Sequence, residues 1–209
     1  MALTAVITAD IVNSTRLSRQ DGKKLLKQLE TVFASYQFEF FRGDSFQVFL
    51  KSPAEALPAL LQARAVAIRL GAQNSATVCD VRASIGIGLA KTPIRSLPTA
   101  NDEAFVLSGR SFDELKEGQR LIISSAEKNA TINLGLSLVA RFTDFIFQRM
   151  TGKQAAVVFE LLQKRTQTDT AKRLKKSQAT VHKHMQSAGW PEIEKLVKSY
   201  QELIVSIEA

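Results

Sequence analysis

Tyr36–Leu50, YQFEFFRGDSFQVFL, decides how the first part of this 209-residue chain folds. Two alternating runs, Tyr36–Phe41 and Phe46–Leu50, flank Arg42-Gly43-Asp44-Ser45, a turn whose glycine can take a positive φ, and together they read as a β-hairpin. Phe38, Phe40, Phe41, Phe46 and Phe49 crowd it. They read as core rather than as a stacking platform for bases, because alternate members must face the helices.

Working outward, Leu3–Asp10 reads as a buried strand, with Leu3, Ala5, Ile7 and Ala9 on one face and Val6 on the other. Asn13-Ser14-Thr15 turns the chain, and Ser18 caps a helix to about Ser35 whose stripe is Leu25, Leu29, Val32 and Phe33. After the hairpin, Ser52-Pro53-Ala54-Glu55 reads as a capping box with proline at the first helical position. Leu57, Leu61, Ala65 and Ile68 are the buried stripe of that helix, and Gly71 ends it. Val81–Leu89 alternates again, with Arg82, Ser84, Gly86 and Gly88 on its second face; Asn101–Leu115 reads as a helix and Arg120–Ser124 as a short strand. The order β-α-β-β-α-β-α-β predicts an α+β, ferredoxin-like sheet with its helices on one face.

Composition is that of an ordinary globular chain, 45% hydrophobic and 23% charged. The apolar run in MALTAVITADIVNS lacks a basic flank and is too short to span a bilayer, and the single Cys79 excludes a disulfide framework or a cysteine-rich zinc site. A cytoplasmic protein without a membrane partner is the expectation. The first 140 residues carry 16 basic and 13 acidic side chains, the last 69 carry 12 and 7. That shift places a boundary near residue 140, giving domains 1–140 and 141–209, joined by the apolar helical pattern from Ala126 to about Met150.

The second domain is expected to be all-α and of helix-turn-helix form. In Thr168–His184, TDTAKRLKKSQATVHKH, Ala171 and Leu174 mark one helix, Ser177 stands at an N-cap, and Ala179, Val181 and Met185 mark the next. Seven lysines and arginines between Lys164 and His184 face one acid, Asp169. Such concentration is the footprint of phosphate contact; a solvated basic face would explain the lysines, but not the tight turn, serine cap and Gln-x-Thr-Val pattern beside them. Gln178, Thr180, His182 and Lys183 are the candidates to face the groove of double-stranded DNA, with Lys172, Arg173, Lys175, Lys176 and Ser177 beside them. Thr151-Gly152-Lys153-Gln154 starts a supporting helix with a capping box. Pro191–Ile207 is a last helix whose apolar side is either core or the seam of a homodimer.

Two acids lie where this sheet brings strand ends together, Asp10 closing the first strand and Asp44 in the hairpin turn. Both can reach one hard divalent cation, Mg or Mn, that takes its remaining ligands from water and the phosphates of a nucleotide. The loop Ile11–Thr15 offers main-chain N–H groups to a phosphate, which makes Asn13, Ser14 and Thr15 phosphate-binding candidates. The plain alternative has Asp10 capping its own turn and Asp44 pairing with Arg42.

TADIVNSTRLS resembles the first metal motif of class III nucleotide cyclases, and FFRGDSFQVF their second. The resemblance implies Asp10, the carbonyl of Ile11 and Asp44 as metal ligands, and VRASIGIG extends it over most of residues 3–124. Where cyclases place a purine-reading lysine this chain has Phe40, and where their later helix carries an asparagine and an arginine it has Arg110 and Glu114. Those changes remove donors that a transferring phosphate needs. Over its whole length, with RGDSFQ, EAFVLSGRSFDELK, RLIIS and the tail, the chain resembles the SatD family, bacterial proteins with a C-terminal helix-turn-helix; the tail is similar to the last DNA-binding region of sigma factors. The leading expectation is a DNA-binding transcriptional regulator whose cyclase-like domain has lost catalysis and senses a nucleotide or metal. Alternatives are a metal-dependent nucleotidyl cyclase or phosphotransfer enzyme tethered to DNA, and a protein-interaction module.

Overall fold

A computed structural model describes residues 1–41, 43–74 and 79–208 of the chain. Five strands, β1 (Ala2–Val12), β2 (Gln37–Phe41), β3 (Ser45–Leu50), β4 (Asp80–Ala90) and β5 (Leu121–Ser125), form one sheet in the order β2-β3-β1-β4-β5. β1 lies antiparallel between β3 and β4, and β5 runs parallel to β4 at the edge. This is the mixed α+β, ferredoxin-like arrangement expected from the order of elements, with one strand added.

Three helices serve the sheet: α1 (Arg19–Val32), α2 (Ala56–Asn74) and α3 (Glu103–Asp113). Ser18 caps α1, its hydroxyl accepting from the N–H of Asp21, as its place in the sequence predicts. The start of α2 differs. Pro53–Glu55 is a 3-10 turn, Ser52 makes no side-chain cap bond to it, and the α-helix begins at Ala56. One face of β1 (Ala5, Ile7, Ala9, Ile11) enters a large core with Leu25 and Leu29 of α1 and Leu57, Leu60 and Leu61 of α2. The other face, carrying Val6, packs with Phe49, Ala104 and Phe105 against α3. The helices therefore lie on both faces, not on one. Gly86 and Gly88 permit this: a Cβ at Gly86 would stand 2.4 Å from the carbonyl oxygen of Ala104 and 2.4 Å from the nitrogen of Ser108. A side chain there would hold α3 off the sheet.

The rest of the chain is helical: α4 (Ala130–Phe147), α5 (Gly152–Leu162), α6 (Gln167–Leu174), α7 (Gln178–Ser187) and α8 (Trp190–Glu208). Thr151 and Gln154 make the reciprocal capping box at the start of α5. Between α6 and α7 the chain turns at Lys175, in the left-handed region at φ 51°, and Ser177 then caps α7. Val157, Leu161, Ala171, Val181 and Met185 form a small core among α5, α6 and α7.

Residue 140 lies inside α4, and the large core continues past it through Leu136, Phe147, Ala155, Val158, Tyr200 and Ile204. α5 packs on α2 and α8 packs on α4, so α2 is covered on its sheet side and on its outer side. A helix apolar on every side is what such a position requires.

The buried Tyr200 hydroxyl donates to the carbonyl of Pro53 at 2.8 Å, tying α8 to the entry of α2. Tyr200→Phe is expected to cost about 1–2 kcal/mol by orphaning a buried acceptor. Burial raises the Tyr200 pKa above the ordinary range of a tyrosine. The protonated phenol is the form that folds, so this stability is present below about pH 10 and is lost as the unfolded chain ionises above it. Urea melts at pH 7 and pH 10.5 check this: the variant should lose less stability between the two than the unchanged chain. An equal loss would show that Tyr200 ionises as readily folded as unfolded.

Candidate metal and phosphate site

The sheet register brings the two carboxylate-bearing segments together. Asp10 stands opposite Ser45 of β3 on one side and Arg82 of β4 on the other. Asp44, one residue before Ser45, is thereby placed beside the turn that follows β1. Asn13 enters that turn in the left-handed region (φ 60°), which asparagine tolerates, and the short 3-10 turn Ser14–Arg16 follows. Ser14 Oγ donates to Asp44 Oδ2 at 2.5 Å, locking loop to hairpin. Ile11, Ser14, Thr15, Gly43 and Asp44 line a cavity of about 390 Å³ whose floor is Leu25 and Leu26 of α1. Arg42, the alternative partner of Asp44, lies outside the described residues.

Asp10 is in phase with Thr8 and so belongs to the α3 face. Its carboxylate is gripped by Arg82, Nη2 to Oδ2 at 2.5 Å and Nε to Oδ1 at 3.2 Å. Hydrogen bonding to Asp10 raises the Arg82 pKa, and the guanidinium also lies 5.2 Å over the Phe112 ring. Behind this pair, Gln47 Nε2 donates to Thr8 Oγ1 at 3.2 Å and Thr8 meets Ser108 at 2.6 Å. The sequence marks Arg82 and Ser84 as one face of a strand. It does not name Asp10 as the partner of Arg82, because that pairing depends on the β1–β4 register.

No group of three or more His, Cys, Asp or Glu converges among the described residues. Asp44 and Ile11 line the cavity, whereas the Asp10 carboxylate lies on the α3 face and is held by Arg82; carboxylates and a main-chain carbonyl are the oxygen donors that suit a hard cation which keeps its waters and takes phosphate oxygens. They do not fit zinc. Burial, then the charge of Asp80, pushes the Cys79 thiol up to about 12, so it stays protonated and is neither ligand nor nucleophile at neutral pH. Phe40 packs on Phe38 and Phe46 at ring-centroid distances of 4.8 and 5.9 Å, as core rather than as a base reader. Arg110 is exposed on α3 and Glu114 is exposed just beyond it.

At the other end of the chain, the residues expected to read DNA are engaged locally. Gln178 Nε2 donates to Thr168 Oγ1 at 3.2 Å, Ser177 caps the N–H of Thr180, and the Ser177 and Thr180 hydroxyls lie 2.9 Å apart. Arg173 Nε donates at 2.9 Å to the buried Glu160, which Arg165 also pairs. Lys172, Lys175, Lys176, His182 and Lys183 are exposed. His184 is half-buried, and burial followed by Lys176, Lys153 and Lys183 lowers its pKa.

Among the solved structures similar to this chain are two cyclases. One is the active GGEEF domain of a diguanylate cyclase from Vibrio cholerae, at 15% identity over 61% of this chain and 85% of that one, with a TM-score of 0.45. The other is the guanylyl cyclase Cya2, at 14% identity over 58% and 74%, with a TM-score of 0.43. Both are nucleotide cyclases. No family model and no curated protein sequence matches the chain.

The expectation of a DNA-binding transcriptional regulator is corrected on these findings, since the similar structures are cyclases. The local reason is physical. Ser177, Gln178 and Thr180 spend their polar groups on the α6–α7 turn, and α5 and α8 are part of the main core rather than of a separate reader. The lysines that suggested phosphate contact, Lys172, Lys175, Lys176 and Lys183, are exposed.

Proposed function

We propose that the end of the sheet around Asp10, Ile11 and Asp44 binds the phosphates of a nucleotide with Mg or Mn, and that the chain is a metal-dependent nucleotidyl cyclase or phosphotransfer enzyme. The observation that carries this reading is the pairing of Asp10 with Ser45, which sets Asp44 and the Ser14 loop around one cavity. Asp10, Asp44 and the carbonyl of Ile11 are the residues that would hold the cation. When bound, the cation supplies positive charge to the phosphate oxygens and to the leaving group.

The chain's own groups supply the rest. Asn13, Ser14 and Thr15 orient phosphate oxygens through hydroxyl and main-chain N–H donors. Arg82, whose side chain is 37% exposed, holds Asp10 in position and sets a fixed positive charge at the same rim. That charge stands in part for the arginine that Glu114 replaces. Around this site domain, α5–α7 are read as a three-helix unit of helix-turn-helix form. The motif order along the whole chain supports membership in the SatD family.

The test is pyrophosphate or phosphate release from each nucleoside triphosphate with Mg or Mn, together with calorimetric binding. Turnover is expected, falling by two orders of magnitude or more in Asp10→Asn and in Asp44→Asn while both variants keep their melting temperature within about 5 °C. Neither binding nor turnover with any of the four nucleotides would sink the proposal.

A further inference from the structure

Another cavity, of about 890 Å³, opens at the opposite end of the sheet from Asp10 and Asp44. β3 spans the distance: Ser45 pairs with Asp10 at one end and Leu50 with Ala5 at the other, about 17 Å along the strand. The cavity floor is Phe49 of β3 and Ile94 of the loop after β4, both buried, and its rim carries Tyr36, Lys51, Ser52 and Glu55. Gln37 fixes one wall, donating from Nε2 to the Ile94 carbonyl at 3.0 Å. The volume lies in the upper part of the ~300–1,000 Å³ range of small-molecule sites.

The charged groups of this rim are not spent on each other. Lys51 and Glu55 are both exposed, yet neither makes an ion pair among the described residues. The reason is local. Pro53–Glu55 is a 3-10 turn that starts after Lys51, so the i,i+4 geometry that joins such residues on an α-helix is not formed. Glu55 bonds the Tyr36 hydroxyl instead. Burial, and then the Glu55 charge, raise the Tyr36 pKa, so at pH 7 the phenol is a neutral donor to that carboxylate. One negative and one positive group are thus held apart over an apolar floor, and their charges cancel.

We infer that this cavity binds a small zwitterion: a protonated amine set against Glu55, a carboxylate set against Lys51, and an apolar side chain laid on Phe49 and Ile94. A free amino acid and a short peptide share this chemistry. Charge decides against the alternatives. A nucleoside triphosphate brings several negative charges to a rim that offers one lysine and sets a carboxylate beside it. A simple anion or cation engages one of the two groups and leaves the other in water. A zwitterion engages both through charge-assisted hydrogen bonds. The Glu55 carboxylate has acceptor capacity beyond its one bond from Tyr36, and the Ser52 hydroxyl, which does not cap its own turn, is a second acceptor for the amine. The site lies apart from the Asp10–Asp44 end, and the inference does not rest on the phosphate reading of that end.

Titration calorimetry of the full chain at pH 7 tests the inference, with free leucine and phenylalanine as one arm and the dipeptides Leu-Leu and Leu-Phe as the other. At least one compound is expected to bind with a Kd of about 1 mM or tighter, and the arm that binds tighter names the source. Acetylating its amine and amidating its carboxylate are each expected to weaken binding by at least about 10-fold, as loss of a hydrogen bond to a charged group does. Two variants assign the ends. Glu55→Gln should bind the free and acetylated forms equally, and Lys51→Gln should bind the free and amidated forms equally. Both residues are exposed, so the circular dichroism of each variant should match that of the unchanged chain. No binding of any of these compounds at about 10 mM would overturn the inference. So would blocked compounds that bind as tightly as free ones, or variants that leave both discriminations intact.

Discussion

Arg64→Ala is expected to remove about 3–5 kcal/mol of stability, a large part of the ~5–15 kcal/mol that holds a domain of ordinary stability. Arg64 is fully buried in α2, donates from Nε and Nη2 to both oxygens of Asp80 at 3.0 and 2.7 Å, and donates from Nη1 to Asp144 at 2.7 Å. Its guanidinium lies 5.0 Å from the centre of the Phe147 ring. Asp144 in turn accepts the N–H groups of Arg120 and Leu121 at the entry to β5. One side chain therefore joins α2, β4, α4 and β5. Deleting it leaves two carboxylates in a site closed to water, and the cost is that of unpaired buried charge rather than of a lost contact. Equilibrium denaturation checks the magnitude. The triple variant Arg64→Met with Asp80→Asn and Asp144→Asn should recover at least half the loss, because amides leave no net charge behind. Failure of the triple variant to recover anything would mean that shape, not charge, dominates the site.

Gly86→Ala is expected to cost about 3 kcal/mol, at the upper end for overpacking a close contact. The new Cβ meets main-chain atoms, the Ala104 oxygen and the Ser108 nitrogen at 2.4 Å each, and a backbone cannot rotate aside as a side chain can. α3 must lift, and the bonds from the Ser84 hydroxyl to the Ser108 carbonyl and between Thr8 and Ser108, both 2.6 Å, go with it. Gly109, on the same helix, has no atom within 4 Å of an added Cβ. Gly109→Ala should therefore stabilise by about 0.5–1 kcal/mol through helix propensity. Thermal melts of the pair should move in opposite directions. If both destabilise, the close approach at Gly86 is not what separates them.

Much of the sheet was legible because local chemistry and tertiary structure agree there. The hairpin needed only two alternating runs and a Gly-Asp turn, and Ser18 and Thr151 needed only the geometry of a helix start. The start of α2 was misread because a serine-proline-acid string serves a 3-10 turn as well as an α-helical cap. Of the candidate site, positions 10, 13–15 and 44 could be named from the order of elements, and the Ile11 carbonyl only from the resemblance to nucleotide cyclases. The Arg82–Asp10 pair could not, since its two members are 72 residues apart and only strand register joins them.

The basic tail shows the limit most clearly. Lysine density and an N-cap describe a surface, and they leave open whether Gln178 faces a ligand or its own turn. The sequence by itself determined the elements, their order and the alternation of β1 and β4, because periodicity and caps act within a few residues. Tertiary structure decided the rest: that α3 takes the second face through Gly86, and that α5 and α8 close over α2 instead of standing apart. Each of those depends on which surfaces meet, and burial of apolar area is indifferent to distance along the chain.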